Sequence, residues 1–113
     1  MKNTFGNILK QVRRSQNMSQ RELAEKVGID FSYISKIEND RIPPPAADTI
    51  LKISSTLNAP VELLLSHSGK VTNDLKDFIS SNVEALRFLN EVKDMQLTNK
   101  EWKTLSTKLK KLR

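Results

Sequence analysis

The sequence predicts an all-α fold: five short helices followed by a helical extension of two to three more. Apolar residues recur at spacings of three and four, and almost no stretch alternates with period two. Helix-start and helix-stop signals punctuate those stripes at matching intervals. The composition is that of a folded chain without covalent staples: 113 residues, 37% hydrophobic, 28% charged and no cysteine.

Each element has its own signature. Phe5, Ile8, Leu9 and Val12 form the first stripe. Ser19-Gln20-Arg21-Glu22 is a capping box, in which the hydroxyl satisfies an orphan amide and Glu22 reaches back to the cap. It opens a helix over about 20–27 with Leu23, Ala24 and Val27 inward, and Gly28 supplies the left-handed stop. Asp30 caps a third helix over about 31–39, with Ile29 as its staple and Ile34 and Ile37 inward. So short a break makes the two helices cross steeply, as a helix-turn-helix over residues 19–38. Ile50, Leu51, Ile53 and Leu57 mark a fourth helix, and Val61, Leu63, Leu64 and Leu65 a short fifth.

Residues 66–70, SHSGK, are small and polar and interrupt the apolar pattern. The expected organisation is therefore a domain over 1–66, a linker at 67–70 and a helical region over 71–113. In that region Thr72 or Asn73 caps a helix carrying Leu75, Phe78 and Ile79. A second capping box, Ser81-Asn82-Val83-Glu84, opens a helix with Val83, Leu86, Leu89 and Val92. A third, Thr98-Asn99-Lys100-Glu101, precedes Trp102, Leu105, Leu109 and Leu112, which form a short a/d seam.

Charge and residue usage narrow the function. Lysine and arginine total 19 against 13 acids, a net +6 that favours a polyanionic partner. The excess is +3 in residues 1–41, zero in 42–70 and +3 in 71–113. Without cysteine there is no thiolate metal site and no cysteine nucleophile. His67 is the single histidine, which excludes a two-histidine metal site in a monomer. Lying in the polar linker with no evident partner, it reads as a solvated side chain. No enzyme activity, metal or cofactor is expected. No apolar run reaches the ~18 residues of a membrane span, and the N-terminus turns polar too soon for a secretory signal. The expected setting is the cytoplasm, on the nucleoid when DNA is bound, with no membrane partner.

Residues 19–38, SQRELAEKVGIDFSYISKIE, resemble the helix-turn-helix of the lambda-repressor-like family of DNA-binding regulators (Cro/cI or xenobiotic-response-element type). The resemblance extends over residues 4–65. Phe5-Gly6, Ile8-Leu9 and Val12-Arg13 match the family's first helix, Pro45 with Asp48–Ile53 and Leu57 its fourth, and Val61–Leu64 its fifth. It implies that Phe31, Ser32 and Lys36 point at base edges in the major groove. Lys36 would donate to guanine, Ser32 would accept or donate, and Phe31 would either meet a thymine methyl or pack against the second helix. Gln20, Arg21, Tyr33, Asn39 and Arg41 are the implied phosphate contacts, and Ser35 is a solvated position. Arg13 and Glu38 are the implied ion pair pinning the recognition helix. Asp40 stands where the family often has glycine, in a turn that favours left-handed backbone. Lys2, Lys10, Arg14, Arg21 and Lys26 are candidates for general phosphate neutralisation.

Three readings of the tail stay open. The favoured one is dimerisation through Trp102, Leu105, Leu109 and Leu112, because such domains read two half-sites as dimers. Residues 98–113 also bear a short likeness to the multimerising tail of biofilm and sporulation repressors of this family. The alternatives are folding back, or docking of a protein antagonist, toxin or protease. The expected function is a sequence-specific transcriptional regulator, a homodimeric repressor of an inverted-repeat operator in double-stranded DNA. The alternative is an antitoxin or controller-type protein-interaction module that also binds DNA.

Overall fold

A computed structural model describes residues 3–113, and Lys2 lies outside them. The described residues form eight α-helices and no strand: α1 Phe5–Ser15, α2 Gln20–Val27, α3 Phe31–Glu38, α4 Ala47–Thr56, α5 Val61–Leu65, α6 Asn73–Ser80, α7 Val83–Lys93 and α8 Asn99–Lys111. They divide into two compact units, the first ending at Thr72 and the second running from Asn73 to Arg113.

In the first unit local signals set the helix ends. The Thr4 hydroxyl accepts from the Asn7 amide at 3.1 Å to start α1. Ser19 and Glu22 form both bonds of their capping box at the start of α2. Gly28 closes α2 at φ +84°, and its amide donates to the Ala24 carbonyl at 2.8 Å. Helix α3 ends one residue before the expected limit, with Asn39 as its cap. Leu9, Leu23, Ile34, Ile37, Ile50, Ile53, Leu57 and Leu64 are fully buried and draw the five helices around one core. Helix α3 packs against both α1 and α2, while α4 and α5 close the far side.

Three details depart from the sequence reading. Leu51 and Leu63 are 39% exposed; Ser54 takes the inward place beside Ile50, Ile53 and Leu57, completing the i, i+3, i+4, i+7 face. Residues 66–69 are turn rather than open linker, with Ser68 buried and its hydroxyl donating to the Leu65 carbonyl at 2.8 Å. His67 is half-buried, with Nδ1 3.0 Å from the Leu63 carbonyl oxygen. The Ser66 hydroxyl lies 3.1 Å from the same nitrogen, so the ring is oriented by the end of α5.

In the second unit α6 packs on α7. Asn82, not Ser81, caps α7: its Oδ1 accepts from the Ala85 amide at 3.1 Å. The Ser81 hydroxyl turns back to the Phe78 carbonyl, and Glu84 pairs with Arg87 at 2.8 Å, so the second capping box does not form. The third does, with Thr98 and Glu101 making both reciprocal bonds.

Candidate nucleic-acid interface

At about 100° per residue, one side of α3 must carry residues 32, 35, 36 and 39, and the other 34, 37 and 38. The burial follows that division. Ile34, Ile37 and Glu38 are buried; Ser32, Lys36 and Asn39 are exposed; Ser35 and Tyr33 are half-buried. Tyr33 packs against the edge of the core, which ties down the flank of the helix. Among the described residues, the packing of the first unit leaves Ser32 and Lys36 exposed.

The buried side of α3 is anchored by charge as well as by apolar contact. Arg13 of α1 reaches Glu38 with two parallel bonds, Nε to Oε2 at 2.6 Å and Nη2 to Oε1 at 2.9 Å. Its third contact, Nη1 to the Met18 carbonyl at 2.8 Å, holds the loop before α2. Gln20 donates from Nε2 to Glu38 Oε1 at 2.9 Å, joining the start of α2 to the same carboxylate. The Glu38 hydrogen bond holds the Arg13 guanidinium above its ordinary pKa, against the opposing effect of burial. Gln20 therefore braces Glu38, the acid at the end of α3, and no outward residue of that helix.

Beside this anchor lies an open groove of about 500 Å³, lined by Lys10 and Arg14 of α1, Ser19, Gln20 and Arg21 at the start of α2, and Phe31, Ser35 and Asn39 of α3. Lys10, Arg14 and Arg21 bring positive charge to it, its described lining holds no acid, and Glu38 is matched to Arg13. Phe31 is 37% exposed and carries the Arg21 guanidinium 4.5 Å above its ring centroid. That is cation–π geometry, and it places Phe31 against α2. The Asn39 amide donates to the Ser35 carbonyl at 2.9 Å. Exposed Arg41, in the loop after α3, lies outside the groove lining, and so does Lys26 of α2, which adjoins Leu51 and Lys52 of α4.

Two contacts at the end of α3 had only faint sequence signals. Asp40 adopts φ +57°, the left-handed state, and its carboxylate accepts from the Thr4 hydroxyl at 2.8 Å. Gly6 lies so close that a Cβ there would stand 2.5 Å from both the Ile37 carbonyl oxygen and Asp40 Oδ1. A glycine inside an amphipathic helix was the signal for that approach. A third contact, the Ser32 hydroxyl donating to Asp30 Oδ2 at 2.9 Å, had no signal beyond the cap itself.

A family model described as helix-turn-helix matches residues 9–64. The HTH-type transcriptional regulator SinR of Bacillus subtilis (strain 168) is 31% identical over 109 residues, an alignment covering 88% of this chain and 97% of that relative. The chain belongs to the Cro/C1-type helix-turn-helix family. A SinR of Bacillus licheniformis is 34% identical, and the regulator RghRB of Bacillus subtilis 36%; the chain spans 63% and 48% of their lengths. Among solved structures, the biofilm master regulator SinR in complex with DNA matches 55% of this chain and 98% of that one, at 37% identity and TM-score 0.53. A SinR–SinI complex matches 97% of this chain at TM-score 0.54 and 24% identity, a likeness of fold alone.

This helix-turn-helix chain carries a second exposed feature in its other unit. Trp102, Leu105, Leu109 and Leu112 of α8 are 41%, 38%, 58% and 83% exposed. They converge with Phe88 of α7 on an apolar cleft of about 560 Å³. Phe88 was missed because the α7 stripe was read through Leu86 and Leu89 instead.

Proposed function

We propose that this protein is a sequence-specific transcriptional repressor that binds double-stranded DNA with α3 in the major groove. The observation that carries the reading is the division of α3 into a sealed face, bolted to α1 and α2 through Glu38, and an open face bearing Ser32 and Lys36. Lys36 donates to guanine O6 or N7, and Ser32 meets the neighbouring base edge. Arg21, Asn39 and Arg41 hold phosphates and fix the register, with Tyr33 bracing the flank and the amide of Gln20 aligned by Glu38. Phe31 serves as the platform for Arg21, a different task from reading bases. The reading gives the chain no catalytic role and places it in the cytoplasm, on the nucleoid.

Residues 71–113 pair two copies through Trp102, Leu105, Leu109 and Leu112, so that two half-sites of an inverted repeat about 34–36 Å apart are read together. Four exposed apolar side chains meeting on one cleft support this. The same surface is where a protein antagonist would compete. Sedimentation of Leu105→Glu/Leu109→Glu against wild type tests the pairing: a dimer becoming a monomer is expected, and a variant that stays dimeric refutes it.

The deciding experiment is selection of bound duplexes from a random pool, followed by titration at two salt concentrations. Affinity should fall steeply with salt as counterions are released. Lys36→Ala should alter base preference at one position, whereas Arg41→Ala should weaken all sequences alike. An affinity indifferent to salt, or a pool with no enriched motif, would reject the reading.

A further inference from the structure

The hydrogen bonds at the leading edge of α3 fix the polarity that Ser32 offers to a partner. Asp30 Oδ1 accepts from the Ser32 amide at 3.3 Å, and Oδ2 accepts from the Ser32 hydroxyl at 2.9 Å. A serine hydroxyl has one O–H and two lone pairs. Here the O–H is spent on a carboxylate, a charge-assisted bond that is stronger than its neutral counterpart. Both residues are exposed, so this edge presents the Ser32 lone pairs and a carboxylate: acceptors only. Lys36, one turn further along the same face, is the opposite, with three donors and no acceptor.

Base edges in the major groove sort by the same property. Adenine N6 and cytosine N4 donate, whereas guanine O6 and thymine O4 accept. We propose that Ser32, polarised by Asp30, selects an amine-bearing base, adenine or cytosine, on the strand it faces and disfavours guanine or thymine there. Lys36 takes a base with the opposite, accepting edge. The separation of one helical turn, about 5.4 Å, puts the two bases one or two steps apart. This inference rests on the DNA reading above and adds to it the hydrogen-bond class of the base at one position.

Asp30→Asn provides a test that keeps the helix cap, since asparagine caps as well as aspartate. With its oxygen still on the Ser32 amide, the asparagine NH₂ lies against the Ser32 oxygen and turns the O–H outward. Wild type, Asp30→Asn and Ser32→Ala, each as the full chain with helical content checked by circular dichroism, are used to select duplexes from a random pool. On the strand Ser32 faces, the position one or two steps from the one altered by Lys36→Ala should carry adenine or cytosine for wild type and switch to guanine or thymine for Asp30→Asn. It should lose its preference for Ser32→Ala. A single hydroxyl should be worth about fivefold, the low end for a base contact. In the selected duplex, purine for adenine or 2-pyrimidinone for cytosine deletes only the amine, and should weaken wild type but not Ser32→Ala. Guanine or thymine for wild type at that position, an unchanged preference for Asp30→Asn, or indifference to amine deletion would each overturn the inference. A wild-type pool with no motif would reject the DNA reading itself, and this inference with it.

Discussion

Replacing Glu38 by glutamine should be among the most damaging isosteric changes available to the first unit. The Glu38 and Arg13 side chains are 1% and 8% exposed, and the carboxylate receives three hydrogen bonds, two from Arg13 and one from Gln20. Glutamine keeps the shape but removes the charge, and its NH₂ takes the place of one of the two oxygens that face the guanidinium, leaving a single neutral side-chain acceptor beside the Met18 carbonyl. Breaking a buried pair from one side costs about 3–5 kcal/mol, because the surviving charge stays desolvated. A small domain gains only about 0.05–0.15 kcal/mol per residue on folding, so that loss rivals the stability of the whole unit. Thermal and urea unfolding should show a midpoint lower by at least ~10 °C. The Arg13 pKa is raised in the folded state, so its share of the stabilisation is fully present below the unfolded value and vanishes only as pH climbs through the folded one. The gap between variant and wild type should therefore stay constant from neutral into moderately alkaline pH. The double change Arg13→Met/Glu38→Leu should recover much of the loss, since apolar replacement removes both desolvation terms. A cost below about 1 kcal/mol for Glu38→Gln would refute the claim that water is excluded from this pair.

Three further changes probe separate features. Gly6→Ala should destabilise by about 1–3 kcal/mol despite the better helix propensity of alanine, because its Cβ would sit 2.5 Å from the Ile37 carbonyl oxygen and 2.8 Å from that of Glu38; an unchanged urea midpoint would contradict that approach. Ser54→Ala should stabilise by about 1 kcal/mol, since the Ser54 hydroxyl is buried with no hydrogen-bond partner among the described residues, and a lower melting temperature would show that the hydroxyl is satisfied. Phe31→Ala should weaken binding to selected and random duplexes alike and reduce the salt slope by up to one ion, as Arg21 loses the ring beneath it; a changed base preference would return Phe31 to the reading face.

The elements legible in the sequence were those set by interactions within a few residues. The Ser19–Glu22 and Thr98–Glu101 capping boxes and the Gly28 stop are local, and they stand where their residue types put them. The Ser81 box failed because Asn82, one place later, offers an acceptor of equal quality. Leu51 and Ser54 show the limit of reading hydrophobicity alone: the face of α4 is fixed by Ile50, Ile53 and Leu57, and geometry carries Ser54 inward with them. In the candidate interface, the outward set of α3 followed from helical period. The long-range contacts of Thr4 with Asp40 and of Gly6 with the end of α3 join residues over thirty positions apart, and the local pattern marks them only through a glycine set inside an amphipathic helix. The polarity of Ser32 lay hidden for another reason, because a hydroxyl accepts and donates equally well until a neighbour decides.

The two sides of α3 answer to separate demands. Ile34, Ile37 and Glu38 serve the scaffold, while Ser32, Lys36 and Asn39 touch little besides their own helix and its cap. Substitution on the outer side therefore leaves the interior packing intact, and a lineage can exchange those few side chains while melting behaviour stays constant. On the proposed reading, target choice in such a molecule drifts or is re-engineered by a handful of codons, at little cost to the core.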